Sequence, residues 1–459
     1  MTMRVLIETY GCQMNTADSE LIMGILTAAG FEPAHALEEA NVIILNTCAV
    51  REKAEARILG RLTNLVPLKR LRPDLLIGVV GCMAKHLGEK LVEKVPYVDF
   101  VAGPDKYRTL PEIIANKRKK AEIHTEFDRS ELYTGCTPKR PSGVTAWVTI
   151  QRGCNYVCTY CIVPHVRGGE RNVPAADILT EVKRLAEMGF SVVTLLGQTV
   201  NSYVDGDINF AKLLRMVANV EGIEQVRFTS PHPLGFSDEL IEVIATEPHV
   251  AKFVHLPLQS ASDSQLVAMR RKYTYEEYET IVHKLREKCP EIAISTDIIV
   301  GFCGESEEDY QKTRQAIIDN RFAFAFLFAY SERSLSIAAR TMKDDIPSEV
   351  KQRRLAEIID IQQHISKEIY ESRIGSRVEV IVEGYSRRNS DQAVGNTRDF
   401  KTTIFDRGDC EPGDWVEVEV DSATSQTLVG RQIRIIKKGR APAVENQIDV
   451  GISLGPTEN

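Results

Sequence analysis

Three observations predict an α/β protein built in three parts. Short apolar runs alternate with helical patterns over residues 4–116, and the same alternation returns over residues 145–330. A period-two pattern then takes over toward the C-terminus. Strands alternating with helices imply parallel sheets covered by helices, and period two implies a sheet with one buried and one wet face. The expected fold is an N-terminal doubly wound parallel sheet, a central partial (β/α)6 barrel and a small C-terminal antiparallel β-barrel. The expected boundaries are residues 1–118, a linker at 119–142, a central domain at 143–372, the small barrel at 374–438 and a patternless, disordered tail at 439–459.

In the first part Val5-Leu6-Ile7, Val42-Ile43-Ile44-Leu45 and Leu76-Ile77-Gly78-Val79-Val80 are the strands, followed by helices near 16–29, 52–65 and 85–95. Gly30 stops the first helix. Lys117-Arg118-Lys119-Lys120 opens a polar stretch with Pro138 and Pro141 that reads as the linker. The central strands are expected at 146–150, 192–196, 225–229, 253–256, 292–299 and 323–328, with helices between them. The helix at 176–188 ends at Gly189, a favoured C-terminal residue. A charged amphipathic helix at 348–372 leads to Val378-Glu379-Val380-Ile381-Val382-Glu383 and Trp415-Val416-Glu417-Val418-Glu419-Val420, where apolar and acidic residues alternate.

Composition narrows the class. A chain of 459 residues exceeds one ordinary core. Its 43% hydrophobic and 26% charged residues are soluble globular usage. No apolar run approaches a membrane span, and Arg4 and Glu8 come too early for a secretory signal, so a cytoplasmic protein with no membrane partner is expected. The ten cysteines then read as metal binding or catalysis rather than a disulfide scaffold. A net charge of −7 argues against a generally sticky nucleic-acid binder, so any RNA contact must come from local basic patches.

The chemistry concentrates in cysteine. Cys154, Cys158 and Cys161 form a Cys-x3-Cys-x2-Cys triplet just past the first central strand, at the barrel edge where such folds gather their reactive groups. A structural zinc site closes with four protein ligands, and iron–sulfur clusters ordinarily take four Cys. Three thiolates leave one metal position open for something that reacts. A zinc knuckle or unrelated core thiols are the alternative. Cys12, Cys48 and Cys82 follow the three N-terminal strands, and parallel strands of one sheet end at one edge, where their loops meet. A second shared metal site with an open position is expected there, the alternative being three buried small hydrophobes. Cys136, Cys289, Cys303 and Cys410 lack ligand spacing and read as structural.

Taken in order, these segments resemble the radical S-adenosylmethionine (SAM) methylthiotransferases, most closely the MiaB type acting on tRNA. The resemblance runs over residues 4–438. It rests on Glu8-Thr9-Tyr10-Gly11-Cys12-Gln13-Met14-Asn15, Asn46-Thr47-Cys48-Ala49-Val50-Arg51, Gly81-Cys82-Met83-Ala84 and the triplet with Tyr160 before its last Cys. It continues through Gly197-Gln198-Thr199-Val200-Asn201-Ser202-Tyr203, His255-Leu256-Pro257-Leu258-Gln259-Ser260 and Thr296-Asp297-Ile298-Ile299-Val300-Gly301-Phe302. The resemblance implies two 4Fe-4S clusters. Cys154, Cys158 and Cys161 would hold the one whose free iron chelates SAM and whose electron cleaves it to a 5'-deoxyadenosyl radical. Cys12, Cys48 and Cys82 would hold an auxiliary cluster carrying the sulfur to be donated. Tyr160 and Gly301 would flank the adenine of SAM, Gln198 its methionyl end, and Gln259 and Ser260 its ribose. The C-terminal barrel resembles a TRAM domain, which implies RNA binding.

The implied reaction adds a methylthio group to C2 of N6-isopentenyl-adenosine beside the tRNA anticodon, with SAM as both methyl donor and radical source. The implied partners are the tRNA anticodon stem-loop, a low-potential electron donor and a sulfur source. Arg152, Arg167, Arg171, Arg333, Arg387 and Arg388 are the candidate RNA contacts, although acidic and basic residues nearly balance over 374–438. Arg333-Ser334-Leu335-Ser336 departs from the family's Arg-Pro-Gly-Thr, which disfavours a tight turn there, and Thr199, Ala261 and Cys303 replace a usual Asn, Gly and Pro. None of these removes a cluster ligand. One rival reading keeps the chemistry but changes the acceptor to threonylcarbamoyl-adenosine in tRNA or a ribosomal-protein aspartate. Another is a non-catalytic iron–sulfur RNA-binding protein, which would not need the 197–203 segment or Gln259-Ser260.

Overall fold

A computed structural model describes residues 2–49, 52–116, 121–386, 388–439 and 452–454. In the N-terminal part the apolar runs become strands because helices bury them on both faces. Arg4–Tyr10, Val42–Thr47 and Leu76–Gly81 run parallel, with Leu6 beside Ile43 and Ile43 beside Ile77. Leu6, Ile43, Leu45, Ile77 and Val79 pack against the helix Glu52–Leu71, while Val5, Ile7, Val42 and Ile44 pack against Gln13–Ala28. The sheet order is Glu32–Pro33, Arg4–Tyr10, Val42–Thr47, Leu76–Gly81, Phe100–Ala102, Glu122–His124, all parallel.

Three local expectations change. The helix expected at 85–95 is two, Cys82–Leu87 and Glu89–Lys94, because Gly88 sits between them at φ +49°. The segment 119–142 is more than a linker: Glu122–His124 is the sheet's edge strand, and Tyr133 is buried in the N-terminal core with its hydroxyl donating to the Pro104 carbonyl at 2.7 Å. The patternless tail is corrected at Ile452–Leu454, a strand parallel to Arg4–Tyr10 with Leu454 beside Thr9. Its short Ile-Ser-Leu run gave too little pattern to read.

The central part holds the six expected strands as two parallel triplets. One is Gln225–Phe228, Val192–Leu196, Thr145–Thr149; the other is Phe253–His255, Ala293–Val300, Phe324–Ala329. An isolated parallel bridge, Val226–Val250, ties the first triplet to the segment leading into Phe253–His255. Helices including Ala175–Glu187, Phe210–Ala218, Tyr275–Lys288 and Ser348–Glu371 share one core with the strands. The helices cover the outside, and the inner strand faces line a space that opens toward the N-terminal sheet.

The C-terminal part is a closed five-stranded barrel. Val378, Val380, Val382, Val416, Val418 and Val420 fill it, while Glu379 and Glu417 pair directly opposite one another outside. That like-charge pair is tolerated because Arg398 reaches Glu379 at 2.6 Å and Arg434 reaches Glu417 at 3.1 Å. The barrel is seated on the central part. Lys252 N–H donates to the Arg398 carbonyl at 2.8 Å, Arg227 pairs with Glu383 at 2.7 Å, and Phe400 packs on Phe253 with centroids 4.8 Å apart.

Candidate active site

Four segments, three from the N-terminal sheet and the single loop that carries the triplet, bring both cysteine sets to one cavity of about 320 Å³, which all six thiols line. Glycine makes the approach possible at two of them. A Cβ on Gly11, at φ +146°, would lie 2.7 Å from the Cys48 Cβ, and one on Gly153, at φ +75°, would lie 2.0 Å from the Gly169 carbonyl oxygen. Each glycine directly precedes a cysteine of one set.

The thiols are not equivalent. Cys12 precedes the first turn of Gln13–Ala28, and the hydrogen bond from Cys48, with help from Arg167, brings its pKa down to about 6. Burial pushes Cys161 up to about 12. Burial also raises Cys154, against a 3.2 Å hydrogen bond with the Thr199 hydroxyl, and raises Cys82, against the Arg167 guanidinium. Around the triplet, Tyr156 N–H donates to Cys154 Sγ at 3.4 Å, Val163 N–H to Cys161 Sγ at 3.4 Å, and Arg271 Nη1 to Cys158 Sγ at 3.6 Å. N–H groups aimed at sulfur would stabilise the negative charge of thiolates holding an iron–sulfur cluster.

The donor set fits a cluster with bound SAM. Among the described residues no three side chains converge on a single-ion position. The thiols instead line a cavity, where each set of three would hold a cluster with one position left open. Three buried polar atoms on the cavity's lining residues lack partners among the described residues: Gln198 Oε1, His232 Nε2 and Arg167 Nη1. His232 accepts from Leu234 N–H through Nδ1 at 3.1 Å, which leaves the proton on Nε2. Burial, then Arg271, depresses its pKa to about 2, so the ring stays neutral. Gln198 thus offers an acceptor suited to an ammonium, and His232 a donor suited to a carboxylate, the two charged ends of an amino acid. His232 stacks on Tyr156 with centroids 4.1 Å apart. Sequence reasoning missed it; its signal is a histidine between Pro231 and Pro233 just beyond a strand end.

Other expected site residues divide. Tyr160 and Gln259 line the cavity; Gln259 is held at φ +72° by its N–H donating to the Asp297 carbonyl and its carbonyl accepting from Ile299 N–H. Ser260 does not reach it. Its hydroxyl is fully buried against Thr313 Oγ1 at 3.1 Å and Ser262 N–H at 3.2 Å. Gly301 packs under Lys351, where an added Cβ would meet the lysine Cγ at 2.4 Å, and is not among the lining residues.

The RNA assignment of three arginines is corrected. Arg152 and Arg167 are 4% and 5% exposed, and both guanidinium groups bind the fully buried Asp18 carboxylate, at 3.1 and 2.8 Å. Arg171 is half-buried and pairs with the buried Asp105 at 2.9 Å, while its Nη1 donates to the Glu131 carbonyl at 3.2 Å. None has a free face for a phosphate. Arg388 is exposed on the small barrel, and Arg387 lies outside the described residues. Arg333 lines a second, adjoining cavity of about 590 Å³, which shares Cys12, Tyr160, Cys161 and Gln259 with the first. The turn at Arg333 forms without Pro-Gly: Ser336 N–H donates to the Arg333 carbonyl at 2.8 Å, and the Ser336 hydroxyl then caps Ile337–Thr341.

The larger cavity has an aromatic wall. Phe324, Phe326 and Phe328 alternate along one strand and line it together with Phe253 and Phe400. His255 and Asp297, 3.3 Å apart, provide a polar patch between this wall and the thiols.

Comparisons with known proteins give the family. Residues 4–103 match the uncharacterized protein family UPF0004, residues 148–317 the radical SAM superfamily, and residues 371–433 the TRAM domain. A tRNA-2-methylthio-N(6)-dimethylallyladenosine synthase of Chlorobium limicola is 46% identical over 93% of this chain and 97% of its own. One of Phocaeicola vulgatus is 43% identical over 94% of this chain and 96% of its own. The chain belongs to the tRNA-2-methylthio-N(6)-dimethylallyladenosine synthase family. As a fold, it is similar to the radical SAM methyltransferase TsrM of Kitasatospora setae, with a TM-score of 0.55 at 14% identity over 73% of this chain and 77% of that one. A synthase of this family carries a radical SAM domain, which implies a 4Fe-4S cluster and SAM. No helix among the described residues is long and apolar enough to cross a membrane.

Proposed function

We propose that this chain transfers a methylthio group to C2 of N6-isopentenyl-adenosine beside the anticodon of tRNA. The observation that carries the reading is that two three-cysteine sets from different domains line one cavity, which continues into an aromatic-walled pocket. The relatives' names supply the acceptor.

The target hydrogen sits on an unactivated ring carbon, and no side chain is basic enough to remove it at neutral pH. Cofactors must supply that chemistry while the protein orients the partners. When bound, the cluster at Cys154, Cys158 and Cys161 with SAM would supply the hydrogen-abstracting radical, and an auxiliary cluster at Cys12, Cys48 and Cys82 the methylated sulfur. Gln198 and His232 would hold the two ends of the SAM amino acid. Tyr160 and Gln259, which border both cavities, would separate the SAM side from the acceptor base.

The phenylalanine wall favours the isopentenyl acceptor over the threonylcarbamoyl one. A five-carbon chain on N6, directed away from C2, would extend from the thiols toward Phe324, Phe326 and Phe400. Each buried methylene there contributes about 0.8 kcal/mol. A threonylcarbamoyl group would bring a carboxylate against the same rings, and the nearby Arg227 is already paired with Glu383.

The test uses anaerobically reconstituted protein, SAM, a low-potential reductant and two anticodon stem-loops, one isopentenylated and one threonylcarbamoylated. Mass spectrometry of the nucleosides should find the methylthio mass increment only on the isopentenylated base. Transfer to the threonylcarbamoyl stem-loop alone would assign the chain a different acceptor. Transfer to neither, with SAM cleaved, would refute the reading.

A further inference from the structure

Two residues flanking the cysteine triplet carry charge into a place where charge is expensive. Arg152 stands two positions before Cys154, and Arg167 closes the helix Val163–Arg167 that follows Cys161. Both belong to the central part, yet both end on Asp18, in the N-terminal helix Gln13–Ala28. Asp18 is fully buried and also accepts from the Tyr107 hydroxyl at 3.3 Å. The Arg152 guanidinium lies over the Tyr133 ring, 4.6 Å from its centroid.

Two guanidinium groups on one carboxylate leave one positive charge in excess among side chains that are 5% exposed or less. An uncompensated buried charge is strongly unfavourable, so this surplus calls for an anion. Arg167 points to where that anion is. Its Nη2 holds Asp18 and its Nε donates to Cys82 Sγ at 3.2 Å, while Nη1 is buried with no acceptor among the described residues. A four-iron cluster on three thiolates bears net negative charge and presents sulfide acceptors. The Cys12, Cys48 and Cys82 set therefore offers both the counter-charge and the missing acceptor.

We propose that Arg167 is a positioning residue for the auxiliary cluster, supplied across the domain boundary, which raises that cluster's reduction potential and, through Asp18 and Arg152, fixes it relative to the SAM-cleaving site. This rests on the auxiliary-cluster reading proposed above. Hydrogen bonds to cluster sulfurs and nearby positive charge both favour the reduced, more negative state, and these are the protein's main levers on cluster potential. The clamp also means that the loop carrying one set of thiols cannot move without pulling on the helix that follows Cys12.

The test isolates the auxiliary cluster by replacing Cys154, Cys158 and Cys161 with Ala in the full chain and reconstituting anaerobically. Its midpoint potential is read by redox titration with electron paramagnetic resonance, alongside the iron content. Arg167→Gln should shift the midpoint downward, and Arg167→Lys, which keeps the charge, should bring it back toward the parent. Asp18→Asn removes the balancing carboxylate and should shift it upward. Opposite signs for Arg167→Gln and Asp18→Asn are what electrostatics demands; shifts of the same sign, or none, overturn the proposal. If Arg167→Gln assembles no cluster, Arg167→Lys decides: assembly with a near-parental midpoint supports the proposal, and failure to assemble overturns it. A parent that binds no iron at this set would instead defeat the auxiliary-cluster reading itself.

Discussion

Cys12 and Cys161 border the same cavities but have opposite character as thiols. In the iron-free protein Cys12, brought down to about 6 by Cys48, is mostly thiolate at pH 7, whereas burial holds Cys161, at about 12, protonated. The thiolate is the nucleophile. Mass-spectrometric timing of iodoacetamide labelling at about pH 7 should find Cys12 modified at least about tenfold faster than Cys161. Cys48→Ala should slow it by removing the hydrogen bond that stabilises the thiolate; equal rates, or Cys161 first, would contradict the geometry. The cysteines were legible because their meaning lies in linear spacing and in strand ends, which a sequence displays. Arg152, Arg167 and Arg171 were misread because a sequence shows charge but not the buried carboxylates of Asp18 and Asp105 that meet them from another domain. Thr199, a departure from the family pattern, lies within hydrogen-bonding distance of Cys154, at 3.2 Å.

At the scale of elements, the strand Phe324–Ala329 shows what periodicity conveys and what it withholds. Its apolar run announced a strand, but Ala325 and Leu327 are as apolar as Phe324 and Phe326, so no alternation marked the cavity face. The structure turns the phenylalanines inward, where Phe326 is 47% exposed, an unusual state for a large aromatic on a barrel strand. Exposed aromatic surface inside a cavity is surface awaiting a ligand. Phe326→Ala should lower kcat/KM for the isopentenylated stem-loop by about ten- to a hundredfold, corresponding to about 1.4–3 kcal/mol of lost apolar contact. It should leave iron content and RNA-independent SAM cleavage unchanged. An unaltered kcat/KM would remove this wall from the acceptor site. The six central strands were readable because each is bounded by a helix of different period. The break at Gly88 was not, because the helical pattern of 85–95 continues across it and only the backbone angle ends it.

At the scale of the whole molecule, all three parts contribute to one site: the N-terminal sheet gives three thiols, the central barrel three more, and the small barrel Phe400. The small barrel is therefore both a wall of the acceptor pocket and a candidate grip on RNA, and removing it would damage both at once. Its outer charges are largely internal business: Arg398 and Arg434 hold Glu379 and Glu417, Arg431 holds Glu419, and Lys437 pairs with Glu224 of the central part. This pairing explains why a nearly balanced charge count said nothing about RNA. Arg388 differs, being exposed in the loop between Arg377–Tyr385 and Gln392–Thr397, remote in sequence from the thiols. A phosphate contact there would release about one counterion on binding. Arg388→Glu should weaken binding of isopentenylated and unmodified stem-loops alike and reduce the slope of log K against log salt by about one. The loop is solvated and the barrel core untouched, so folding should persist, and SAM cleavage without RNA should be unchanged. A salt slope identical to that of the parent would move the phosphate grip off this loop and onto another face of the molecule.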